Sequence, residues 1–250
     1  MDKELILKNN EITAEMAEEF KADFQIDSSD ILIPKILLMQ PSSEMVADQK
    51  AQMGDFMHSV QEKKIASITE PFEFLPFFNT KRWDIMDPEN QNEWVRAEEF
   101  KPGDDNLPWE FVEDGKPRKR VKRLDFFGFI PKFVEAGEIL PMILSFKSTG
   151  YREGTKILTQ WKTNMEKRKV PFAESYLVGG EKKKNEKNQT YFIPEVRINK
   201  EVSAEMLNLC MKWYKDLKHA KVKVVIDESD NKEKPVEAAE APQSIDTGRF

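Results

Sequence analysis

Cations alternate with aromatic rings through one stretch of this 250-residue chain, residues 116–193. It opens on a basic run, Lys116-Pro117-Arg118-Lys119-Arg120-Val121-Lys122-Arg123, and passes at once into Leu124-Asp125-Phe126-Phe127-Gly128-Phe129-Ile130. Phe146-Lys147, Tyr151-Arg152 and Trp161-Lys162 follow, then Lys182-Lys183-Lys184 ahead of Tyr191-Phe192. The stretch holds 18 Lys or Arg against 8 Asp or Glu, a charge of +10 inside a chain whose total is −6. Such groups displace phosphate counterions, and flat rings offer faces to unstacked bases, so this chemistry suits a single-stranded nucleic acid. The plainer reading of the same residues is solvated lysine loops and strand aromatics in a core.

Other chemistries find less material. With only His58 and His219, a Ser–His or Cys–His pair has few ways to form. The lone Cys210 excludes a disulfide framework and any multi-cysteine metal site, and it lies in an apolar stripe, as a core thiol would. Glu99-Phe100-Lys101, with Asp84 and Asp87 upstream, matches the acid…Glu-x-Lys pattern of restriction-type nucleases, in which acids hold Mg²⁺ beside a lysine. That pattern belongs on adjacent core strands, whereas prolines nearby place it here in a loop. No Gly-rich phosphate loop is present. The expectation is therefore a protein without catalytic residues, metal or cofactor.

The elements that must position these residues read as mainly β with flanking helices. Apolar spacing predicts a short helix over residues 12–22. Short runs predict strands at residues 31–39, 54–60, 65–68 and 72–78, with Pro34 at an edge or bulge. Residues 84–114 carry 11 acids and 2 bases, and read as a long acidic loop, a mobile insertion or a lid. Strands resume at residues 124–130 and 140–146. A helix near residues 154–169 follows, then a hairpin about the Lys-rich turn at 179–188. Val202, Met206, Leu209, Cys210, Trp213 and Leu217 form one stripe of an amphipathic helix over 201–219. From Asp227 the chain is acidic and poor in apolar residues, so residues 227–250 are expected to be disordered, ending on Phe250. The division is thus 1–29 as helix and linker, 30–226 as the folded domain, and 227–250 as tail. The charged start and the lack of a long apolar run predict a soluble cytoplasmic protein.

A β-rich core, a basic aromatic middle and an acidic Phe-terminated tail together resemble the single-stranded DNA-binding proteins of bacteriophages. Ile33-Pro34-Lys35-Ile36, Ser145-Phe146-Lys147-Ser148-Thr149 and Lys184-Asn185-Glu186-Lys187 with Tyr191 add to the likeness. Arg249 before Phe250 and the wide spacing of the acids depart from that family's tail. The resemblance implies an OB-like β-barrel that binds single-stranded DNA without sequence preference in phage replication or recombination. It also implies that the tail, through Asp246 and Phe250, recruits replication or recombination proteins. Phosphate contacts are expected from Arg118, Lys119, Arg120, Lys122, Arg123, Lys147, Arg152, Lys162, Lys183 and Lys184. Stacking is expected from Phe126, Phe127, Tyr151, Trp161 and Tyr191, although strand alternation sets Phe127 opposite Phe126. The competing classes are a metal-dependent nuclease and a phage protein that binds and inhibits a host protein.

Overall fold

A computed structural model describes residues 33–89 and 93–220. The expected helix at 12–22, the tail with Asp246 and Phe250, and the His219 side chain lie outside the described residues. Among these residues ten strands form one mixed sheet. They are β1 (Lys35–Leu38), β2 (Asp55–His58), β3 (Lys64–Ser67), β4 (Phe72–Asp87), β5 (Glu93–Glu99), β6 (Glu110–Glu113), β7 (Lys116–Phe129), β8 (Met142–Lys147), β9 (Glu174–Lys184) and β10 (Thr190–Glu201). Among the described residues four α-helices accompany them: α1 (Glu44–Ala47), α2 (Pro131–Glu135), α3 (Tyr151–Glu166) and α4 (Ala204–Ala220). The strand order is β10-β9-β4-β7-β8-β1-β2-β3, antiparallel throughout except for β1 beside β8.

The spine is the pairing of β4 with β7, which runs from Leu75 opposite Phe129 to Met86 opposite Lys119. At one end this ribbon belongs to the body of the sheet, with β9 beside β4 and β8 beside β7. At the other end β5 pairs with β4 and β6 with β7, which makes a four-stranded arm. The segment expected to be an acidic loop therefore supplies the end of β4 and the two outer strands of that arm. β4 and β6, which carry four of its acids, pair with the basic start of β7, while β5 pairs with β4.

Alternation along β7 sends rings to both faces, each covered by a helix. Phe126 meets Trp161 of α3 edge-on at 5.5 Å, while Phe129 meets Trp213 of α4 at 6.3 Å. Helix α3 sits close because Gly154 has no side chain; a Cβ there would lie 2.9 Å from both Leu124 and Phe146. Gly128 is needed for the same reason, since a Cβ would stand 2.6 Å from the Leu75 carbonyl oxygen. The stripe expected on the last helix is real: Cys210 and Leu217 are buried, and Trp213 and Tyr214 pack on the core.

The barrel expectation needs correction. The sheet is open, and its margin at β10 meets the segment after β1 through side chains instead of a backbone ladder. The Gln40 amide donates to the Phe192 carbonyl at 2.9 Å and accepts the Phe192 N–H at 2.9 Å. Two residues on, Pro194 has no N–H to offer, and the Val196 N–H donates to the Glu153 carboxylate at 3.1 Å. A strand edge blocked in this way cannot continue hydrogen-bonding into closure.

Candidate nucleic-acid interface

The basic run on β7 is answered by the acid-rich strands beside it. Arg118 pairs with Asp87 at 2.9 Å and lies 3.8 Å from Glu113. Glu113 also takes two hydrogen bonds from Arg96, and these, despite some desolvation, hold its carboxyl below the usual range. Lys122 is bonded to Asp105 and reaches over the Trp83 ring at 5.4 Å. Its hydrogen bond is the main reason the Asp105 carboxyl is depressed. The Arg120 guanidinium lies 3.7 Å over Phe111 and donates to the Pro108 carbonyl, and Lys119 stands 4.8 Å over Trp109. Part of the run's charge, that of Arg118 and Lys122, is thus answered by carboxylates within the chain.

Arg123 has the most enclosed position of the run, at 3% exposure. Its guanidinium donates to Asp125 at 2.8 Å and to the Ser145 hydroxyl at 2.9 Å, and lies 3.4 Å from Asp84. Ser145 in turn donates to Asp125 at 2.5 Å, and Arg82 stands 3.2 Å from Asp84. Burial alone would raise the Asp125 carboxyl; Arg123, Arg82 and the Ser145 hydroxyl outweigh it and hold the group below its ordinary value. A guanidinium saturated by two carboxylates and a hydroxyl contributes little net field to a phosphate.

Among the expected stacking rings, Phe126 and Phe127 are fully buried and Trp161 is 7% exposed, so these three are core. Tyr151 and Tyr191 are half-buried and keep an accessible edge. Arg152 and Lys162 are exposed on α3, with Lys162 within 3.9 Å of Glu166. Lys183 pairs with Glu181 at 3.1 Å, and Lys184 is exposed near the tip of the β9–β10 hairpin. The structure therefore disperses the expected set over the arm, α3 and the hairpin.

It gathers a different one. An open cleft of about 810 Å³ lies between β1 with the segment after it, the end of β8, and the tip and return strand of the β9–β10 hairpin. Lys35, Arg123, Ser145 and Lys147 line it from three neighbouring strands, and Asn185, Lys187 and Tyr191 line it from the hairpin. Lys50, bonded to Glu62 at 2.8 Å, lies on the rim with Glu44 and Asp48. Leaving aside Arg123, which Asp84 and Asp125 saturate, four lysines and three carboxylates line the cleft. Arg123, Lys147 and Tyr191 belong to the expected set; Lys35, Lys50 and Lys187 do not. Lys35 carries a usable signal, a lone cation inside the apolar run Ile31-Leu32-Ile33-Pro34-Lys35-Ile36-Leu37-Leu38.

The remaining chemistries can be placed too. Asp84 and Glu99 lie on adjacent strands, with Asp84 opposite Ala97 and Arg82 opposite Glu99, so the nuclease-like pattern sits on paired strands and not in the expected loop. Asp84, however, is buried against Arg82 and Arg123, and no three acids, histidines or cysteines among the described residues are grouped to hold a metal ion. His58 is buried, with Nδ1 accepting the N–H groups of Val60 and Gln61. Burial, then Lys63, lowers its pKa. Burial pushes the Cys210 thiol up to about 12, in keeping with a core residue. No helix among the described residues is long and apolar enough to cross a membrane.

No curated protein and no solved structure matches the chain. A family model described as Pam3 phage gp34-like protein matches residues 8–223, most of the sequence, and the chain therefore belongs to that family of phage proteins.

Proposed function

We propose that this phage protein binds single-stranded DNA without sequence preference, during DNA replication or recombination, and does so first through the cleft and not along the whole basic run of β7. The observation that carries the reading is that the exposed Lys147 of β8 and the exposed Lys187 and half-buried Tyr191 of the β9–β10 hairpin line one open cleft, with the buried Lys35 of β1 also in its lining. Lysines spaced along an open groove neutralise successive phosphates, and a half-open tyrosine ring gives one base a surface. Binding of this kind asks nothing of a nucleophile, a metal or a cofactor. The acidic tail ending in Phe250 is the proposed contact for replication or recombination proteins.

Fluorescence anisotropy with labelled oligo-dT and a matched duplex, across a salt series, tests this. About four neutralised phosphates give a logarithmic salt slope near −2.8 on single strands. Lys147→Glu and Lys187→Glu are each expected to weaken binding and flatten the slope, by about 0.7 for each phosphate no longer neutralised. Equal affinity for duplex, or binding insensitive to salt, overturns the proposal.

A further inference from the structure

Trp109 is an unusual tryptophan for this fold. Trp83 and Trp161 are buried and Trp94 and Trp213 are half-buried, whereas Trp109 is 50% exposed at the margin of the arm. Its backbone is fixed, because the Arg120 N–H donates to the Trp109 carbonyl at 2.8 Å. The Lys119 ammonium lies 4.8 Å over the indole ring. Covering a half-exposed indole is among the largest single gains an interface offers.

The position along β7 says what that something is. Lys119 and Arg123 share a face of the strand, four residues and about 13 Å apart. Arg123 lines the cleft and Val121 between the two is buried, so Lys119 and the indole form a separate accessible spot further along the same strand. An ammonium beside an exposed indole presents one group for a phosphate and one for a base within a single nucleotide's reach. We propose that Trp109 and Lys119 form a second binding point for single-stranded DNA, a stacking platform on the arm that lengthens the path begun in the cleft. This rests on the binding proposed above.

The test uses the full chain with labelled dT strands of about 4 and about 12 nucleotides, the range of site sizes for small binding folds. Trp109→Ala is expected to weaken the longer strand between about five- and 150-fold while leaving the shorter one unchanged, and Trp109→Phe is expected to recover much of the loss. Lys147→Glu should weaken both lengths. If Trp109→Ala binds the longer strand as the wild type does, the platform is refuted and the cleft stands. If the wild type binds neither strand, both readings fall together. A half-exposed residue at the arm's margin is a mild substitution, and unchanged thermal melting of both Trp109 variants confirms that the comparison is between folded proteins.

Discussion

Replacing Arg123 separates two roles that the sequence cannot tell apart. A phosphate ligand removed from a groove leaves a folded protein with weaker binding. The structure predicts the opposite emphasis for Arg123→Met. Arg123, Asp84 and Asp125 are each less than 5% exposed, so the substitution leaves two buried carboxylates with Arg82 as their remaining cation. Removing one partner from a buried ionic cluster costs about 3–5 kcal/mol, because the orphaned charge keeps its desolvation penalty. In a domain of this size each kcal/mol lowers the melting temperature by roughly 2–4 °C, so the expected fall is about 6–20 °C. Differential scanning calorimetry reads it directly. The triple variant Arg123→Met, Asp84→Asn, Asp125→Asn, which removes the stranded charges as well, should recover most of the loss. Arg118→Ala, whose cluster with Asp87 and Glu113 is partly solvated, should cost only about 1 kcal/mol. An Arg123→Met protein that melts within about 2 °C of the wild type would refute the assignment of this network as structural.

Two more outcomes follow from side chains that no functional reading uses. Gln40→Ala removes both bonds to the Phe192 backbone and leaves a strand margin unpaired; a loss of about 1–3 kcal/mol is expected in urea unfolding, and an unchanged midpoint would mean the margin is held by packing alone. His58 has its pKa lowered, so above about pH 7 both folded and unfolded rings are neutral and stability is level. As pH falls through about 6.5 the unfolded ring takes a proton first, and stability is lost toward the folded value. The melting temperature should therefore drop more between about pH 7.5 and about pH 5.5 in the wild type than in His58→Asn, and parallel drops would show that His58 is not the group responsible.

The parts of the fold that local pattern could reach were legible, and the parts set by distant partners were not. The stripe ending in Cys210, Trp213 and Leu217 gave α4 because a buried helix face repeats within a few residues. The apolar runs around Lys35, Phe56 and Ile65 gave β1 to β3 in the same way. The arm left no such trace. Glu110 and Glu113 sit on β6 opposite Lys119 and Lys116 of β7, Glu93 and Glu98 sit on β5 beside β4, and such polar strands offer little apolar face to announce themselves. Only pairing across the sheet turns those acids from a loop into a lattice of ion pairs. The same long-range pairing undid the simplest functional inference. A surplus of charge in one segment implies an anionic partner only when that partner is outside the chain; here Asp84, Asp87, Asp105 and Glu113 supply it from within. The proposed cleft draws on a different set, Lys35, Lys147 and Lys187, which the fold gathers from β1, β8 and the hairpin instead of from the longest basic run in the sequence.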